Sequence, residues 1–166
     1  MKICNFANRI INNGKMENII PIASDHGGFE MKCYLIEKLE ASGYKVKDFG
    51  TYSNASVDYP DMIHPLASAI EHGEYPLGII LCGSGNGAQM TANHHHNVRA
   101  ALCWNEEIAR LARQHNNANI IALPGRFVSN ETAWEMVKTF LNTDFEAGRH
   151  ARRIEKIEPI ETRTDE

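Results

Sequence analysis

The stretch Leu77-Gly78-Ile79-Ile80-Leu81-Cys82 is apolar without alternation and stops at three glycines in five residues, Gly83-Ser84-Gly85-Asn86-Gly87. A strand with one wet face alternates polar and apolar positions, so an unbroken apolar run predicts a strand covered on both sides, as in a parallel sheet. Similar punctuation recurs along the chain. Ile19 to Ala23 is a second short apolar run, closed by Ser24-Asp25-His26-Gly27-Gly28, and Tyr44 to Phe49, Val98 to Cys103 and Ile120 to Leu123 are three more strands. Helical spacing fills the intervals: Phe29, Met31, Leu35, Ile36 and Leu39 share a face before Gly43, and helices are predicted over Asp61–Ile70, Ala88–Ala92, Glu106–Ala112, Glu131–Leu141 and about Ala147–Ile157, with Pro159 after the last. Five strands alternating with helices, and no hairpin signal between them, predict an α/β fold. Right-handed crossovers make it a Rossmann-like, three-layer α/β/α sandwich with a five-stranded parallel sheet.

A chain of 166 residues fits one domain, placed here at 18–166, with residues 1–17 read as a polar N-terminal extension without a firm turn or strand signal. No apolar run approaches the length that crosses a bilayer, and the N-terminus lacks the apolar core of a signal peptide. Cys4, Cys33, Cys82 and Cys103 lie far apart with no CxxC. The expectation is a soluble, cytoplasmic protein with reduced thiols and no membrane partner. The net charge of −4 argues against nucleic acid. An anionic small molecule stays possible where cations gather locally.

In doubly wound sheets ligands bind beyond the carboxyl ends of the strands, which singles out Asp25-His26, Gly83–Gly87, Trp104-Asn105 and Pro124-Gly125-Arg126. The glycine loop can turn several N–H groups toward one point at a helix start, a nest for phosphate or an oxyanion; the plainer alternative is a tight turn. It follows the third strand as G-x-G-x-G, so it is not the dinucleotide fingerprint, and it lacks the Lys-Ser/Thr of a P-loop. Cys82 stands at a strand end beside that loop, where a thiolate is useful as a base or nucleophile; alone, a buried core cysteine is the commoner case, and Cys33 and Cys103 are read that way. His115 ends a helix, where its cation is favoured with or without a function. Three adjacent histidines, His94 to His96, cannot all face one ion, and no Cys or carboxylate stands at zinc spacing, so no metal is expected. Arg149 and Arg153 are four apart on a helix and can form a forked clamp for phosphate, or simply a solvated basic face.

Taken together, these residues resemble the type B ribose-5-phosphate isomerases, in the family that includes galactose-6-phosphate and allose-6-phosphate isomerases. The motifs run in register from about Ile19 to Ile157: Ser24-Asp25-His26-Gly27-Gly28-Phe29, Val57-Asp58-Tyr59-Pro60, Leu81 to Gly87, Arg113-Gln114-His115-Asn116 and Gly148-Arg149-His150. The resemblance implies an aldose–ketose isomerase of the pentose phosphate pathway, interconverting ribose 5-phosphate and ribulose 5-phosphate through a cis-enediolate without cofactor or metal. By the match, Cys82 is the base, His115 opens the furanose ring, and Ser84 and Asp25 bind hydroxyls. His26 contacts the phosphate end, Gly83, Gly85, Asn86 and Gly87 hold the enediolate oxygens, and Asn116 binds substrate. Arg149 and Arg153 grip the phosphate, while Tyr59 and Arg126 line the cleft. Where some relatives place a glutamate base directly after the loop, this chain has Ala88, so only the cysteine version is available. Relatives commonly have Asn-Lys where this chain has Asn93-His94, and residues 1–17 lie outside the pattern.

The resemblance also implies a homodimer, or a dimer of dimers, with active sites shared between subunits. A hexose 6-phosphate such as allose or galactose 6-phosphate is the alternative substrate, and a non-catalytic sugar-phosphate sensor the alternative class. A nucleotide-dependent oxidoreductase on the same fold would need a dinucleotide fingerprint after the first strand, which reads Asp25-His26-Gly27-Gly28.

Overall fold

A computed structural model describes residues 10–12 and 15–157. Residues 1–9, 13–14 and 158–166, with Cys4 and Pro159 among them, lie outside the described residues. The N-terminal extension, read from sequence without a firm turn or strand signal, contains two short strands. Strand β1 (Ile10–Asn12) pairs antiparallel with β2 (Lys15–Glu17), apart from the main sheet. The sequence between them reads Asn13-Gly14, a pair favoured in two-residue hairpin connections. Flanking runs of only three residues hide that signal from a periodicity search.

The main sheet contains β3 (Ile19–Ser24), β4 (Lys45–Asp48), β5 (Gly78–Cys82), β6 (Ala100–Leu102) and β7 (Ile120–Pro124). All pairings are parallel, in the order β4-β3-β5-β7-β6. Helices α1 (Phe29–Ala41), α2 (Tyr59–Glu71), α3 (Asn86–Ala92), α4 (Glu106–Asn116), α5 (Asn130–Asn142) and α6 (Arg149–Ile154) complete the chain. Every strand and helix expected between Ile19 and Ile157 forms, and the parallel α/β sandwich is as predicted.

The unbroken apolar runs are explained by the two cores. On one face Ile20, Ile22, Ile79, Leu81, Ile121 and Leu123 pack with Met31, Leu35 and Leu39 of α1, Ala109 and Ala112 of α4, and Met136, Val137 and Phe140 of α5. On the other, Ala23, Ile80, Cys82, Ile120 and Ala122 meet Ile63, Leu66, Ala67 and Ile70 of α2 and Ala88 and Ala92 of α3. Successive strand side chains point to opposite faces, so a strand with helices on both must be apolar throughout.

Two consequences position the site. The chain leaves β3 toward β4 on one side and resumes with β5 on the other, which opens a crevice at the carboxyl ends of β3 and β5. Helices run back against the strands, so α4 starts beyond the carboxyl end of β6 and stops just before the amino end of β7. The Asn105 side chain caps its start by accepting from the Ile108 N–H at 2.9 Å, and Asn117 ends it in a left-handed conformation (φ 45°). Eleven residues at 1.5 Å rise put the two ends of α4 about 16 Å apart. Among the described residues no helix is long and apolar enough to cross a membrane.

Candidate active site

Three loops converge beyond the carboxyl ends of β3, β5 and β7. A Cβ on Gly27 would lie 2.9 Å from the Gly83 nitrogen, and one on Gly125 would lie 2.9 Å from the Gly27 oxygen, so the loops are stacked backbone on backbone. The Gly125 and Arg126 N–H groups donate to the Cys82 and Gly83 carbonyls, both at 3.0 Å. The loops enclose a cavity of about 280 Å³, lined by Asp25, His26, Gly27, Tyr59, Cys82, Gly83, Ser84, Gly87 and Arg126.

Each lining group has a defined local cause. Cys82 is the last residue of β5, 4% exposed, and its Sγ accepts a hydrogen bond from the Gly85 N–H at 3.1 Å. Gly85 reaches that position with φ +78°, and a Cβ there would collide with Leu102 Cδ1, so glycine is required on two counts. Among the described residues the N–H groups of Ser84 and Gly87 have no acceptor, which leaves two donors at the cavity for an oxyanion. The Asp25 Oδ1 accepts from the Gly27 N–H at 2.8 Å and the Gly28 N–H at 3.1 Å, locking the carboxylate at the rim. The His26 Nδ1 accepts from the Val57 N–H at 3.3 Å. In the neutral ring that places the proton on Nε2, the nitrogen left to act as a donor. Tyr59, in the first turn of α2, lays its ring over Gly87, 2.7 Å from where a Cβ would be. Arg126 is exposed at the cavity edge and forms no ion pair among the described residues.

One supporting pair is invisible to sequence reasoning. Lys32 on α1 is fully buried, and its Nζ donates to both Asp48 oxygens at 2.5 and 2.6 Å. Asp48 also accepts from the Gly50 N–H at 2.8 Å. This anchors the start of the segment that carries Val57 and Tyr59. A lysine among helical polar positions gives no sign in sequence that it points inward.

The remaining expected residues are elsewhere. His115 and Asn116 close α4, and Arg149 and Arg153 lie exposed on α6, which packs against α4. They sit toward the amino ends of the strands, across the molecule from Cys82, and none lines the crevice. His115 stacks on His150 at 4.2 Å between ring centroids, and the Glu146 Oε2 lies 3.9 Å from the His115 Nε2 and 3.8 Å from the His150 Nε2. Glu146, like Lys32 and Asp48, is a residue the sequence does not mark. Asn116 faces a separate groove of about 680 Å³ along the β6 edge, where Trp104 is 55% and Ile157 57% exposed.

The three adjacent histidines line that same groove. The His95 Nδ1 pairs with the Glu71 Oε2 at 2.8 Å, and its Nε2 lies 2.8 Å from the His64 Nδ1, while His96 offers its backbone N–H to Glu71 at 3.0 Å. The hydrogen bond from His95, then that from the His96 backbone, holds the Glu71 carboxyl below its usual range. Cys103 is pushed up to about 12 by burial, an inert thiol as expected.

Comparison with known proteins gives consistent matches. Residues 20–157 fit the model of a family described as Ribose/Galactose Isomerase. A probable ribose-5-phosphate isomerase B of Mycoplasma genitalium is 42% identical over 146 residues, covering 87% of this chain and 96% of the relative. The crystal structure of a ribose 5-phosphate isomerase from Thermotoga maritima superposes with a TM-score of 0.82 at 50% identity, covering 83% of this chain and 95% of that one. A Mycoplasma genitalium ribose-5-phosphate isomerase B solved with bound ribulose-5-phosphate gives 0.80 at 43% identity, covering 84% and 93%.

Proposed function

The chain belongs to the ribose/galactose isomerase family, and from that premise we propose that it interconverts ribose 5-phosphate and ribulose 5-phosphate. The observation that carries this reading is the Cys82 sulfur held under the Gly85 N–H in the crevice, beside unengaged loop N–H groups. Ala88, wholly buried, follows the loop where a glutamate base would otherwise stand. In the open-chain aldehyde the Cys82 thiolate takes the proton from C2. The C2–H electrons form the C1=C2 bond, and the carbonyl electrons move to O1. Protonation of C1 and loss of the O2 proton then give the ketose. Loop N–H groups facing the enediolate oxygens contribute about 2.7–4 kcal/mol each to such a transition state. Asp25 and Ser84 orient hydroxyls, His26 donates through Nε2, and Arg126 faces the phosphate. Protons move only between side chains and substrate oxygens and carbons, so the scheme calls for no cofactor or metal.

Ring opening by His115 and phosphate capture by Arg149 and Arg153 require a second copy of the chain. His115 closes α4, whose ends are about 16 Å apart, Arg149 and Arg153 lie on the adjoining α6, and none of them lines the crevice that holds Cys82. We therefore read the enzyme as a homodimer whose sites combine one subunit's crevice with the other's α4–α6 end. The β6 edge, where Trp104 and Ile157 are exposed among the described residues, suits such contact. Residues 18–166 act as the single catalytic domain in this reading. A cytosolic setting follows from the same chemistry, since a thiolate base must stay reduced.

The test is kcat/KM for ribose 5-phosphate, allose 6-phosphate and galactose 6-phosphate side by side. The expected result is turnover of all measurable substrates with ribose 5-phosphate ahead. A hexose phosphate ahead would move the assignment within the family, and binding without turnover would reject an isomerase.

A further inference from the structure

We propose that Glu146 and His150 are positioning residues for His115, holding its imidazole where it passes a proton from the anomeric hydroxyl to the ring oxygen as the furanose opens. This rests on the reading above that His115 performs that step. In it the bond between C1 and the ring oxygen breaks, C1=O forms, the anomeric hydroxyl loses its proton and the ring oxygen gains one.

Four observations carry the inference. The two rings lie face to face, 4.2 Å apart and within 8° of parallel. His150 is 6% exposed, whereas the His115 side chain is 37% exposed, so a fixed plate supports a ring open to a ligand. One oxygen of Glu146 faces both Nε2 atoms at 3.8–3.9 Å. That is beyond hydrogen-bond length, so it acts as a charge on the ring edge. The Glu146 backbone N–H donates to the Gln114 carbonyl at 3.1 Å, which ties the carboxylate to the turn of α4 that presents His115. The stack defines the plane of the His115 ring, and the carboxylate defines which edge faces which way.

His115, Glu146 and His150 are also the one cluster among the described residues with three metal-type ligands close together. Its geometry is wrong for a metal cage, because lone pairs in two nearly parallel ring planes do not converge on one point. Charge completes the argument. Burial, then the neighbouring His115, Arg149 and Arg153, hold the His150 imidazole below its usual range, and Glu146 opposes them. Its surroundings therefore favour the uncharged ring as the plate of the stack.

The experiment compares Glu146→Gln, His150→Ala and His150→Phe with His115→Ala in two assays. One is kcat and KM for ribose 5-phosphate across pH. The other is deuterium wash-in at C1 of ribulose 5-phosphate in D₂O, which needs enolisation but no ring opening because that ketose is acyclic. Glu146→Gln and His150→Ala should lower kcat for ribose 5-phosphate about tenfold or more, with KM little changed and an altered pH profile. Wash-in should stay near wild type, and His150→Phe, which restores the plate, should recover part of the loss. If His115→Ala slows ribose 5-phosphate turnover but the Glu146 and His150 variants do not, the positioning role is wrong. Parallel loss of wash-in would show a merely structural role. Unimpaired turnover by His115→Ala would instead overturn the assignment of ring opening.

Discussion

At the carboxyl ends of β3, β5 and β7 the chain presents backbone N–H groups and a thiol, packed so closely that Gly27, Gly85 and Gly125 leave no room for a Cβ. At the far end of α4 and on α6 it presents Arg149 and Arg153, long and exposed, with no ion pair among the described residues. The first end is organised before any ligand arrives, which suits stabilisation of charge that develops only during reaction. In the proposed function the second grips an anion, a task of binding and positioning. On the proposed reading the contrast teaches a division of labour: proton abstraction in the close-packed crevice, and phosphate capture by the exposed arginines beside the His115 stack.

The sharpest way to break that division is Cys82→Ala. Loss of the base should reduce kcat by about 10³-fold, within the usual range for a general base. Affinity for a sugar phosphate, measured by calorimetry on the same variant, should hold within a few-fold. Near wild-type turnover would remove Cys82 from the mechanism, and a comparable loss of affinity would erase the division between the ends.

Whether the two ends of different copies form one site can be tested by mixing Cys82→Ala chains with Arg149→Ala/Arg153→Ala chains. Each is impaired alone. In a heterodimer one of the two sites would join an intact crevice to an intact clamp, so random exchange should restore about a quarter of all sites. Exchange demonstrated by mass spectrometry with no recovery of activity would place both ends in one subunit's site.

A smaller effect concerns pH. In the folded chain the His150 imidazole is below its ordinary value of 6.5, mainly through burial. As pH falls through that ordinary value the unfolded chain takes up the proton first, so stability present above it is lost progressively toward the lower folded value. The melting temperature of the wild type should therefore fall more steeply below about pH 6.5 than that of His150→Phe, which keeps an aromatic ring but cannot titrate. Parallel curves would mean that His150 adds no pH dependence to the α4–α6 end.

Local sequence by itself determined most of the architecture. Runs such as Leu77 to Cys82 have no polar position to turn toward water, and no arrangement but a sheet covered on both faces satisfies several of them in one chain. The glycine loop and the ordered motifs from Ser24 to His150 were legible for the same reason: they encode backbone needs that few residue types meet. Tertiary structure decided what touches what. That Lys32 turns inward to Asp48, that Glu146 faces two imidazoles, and that His115 lies outside the crevice of Cys82 depend on crossovers linking residues distant in sequence. Side-chain periodicity records which face is buried, but not which partner is met there. That partnership is set by how the strands are ordered.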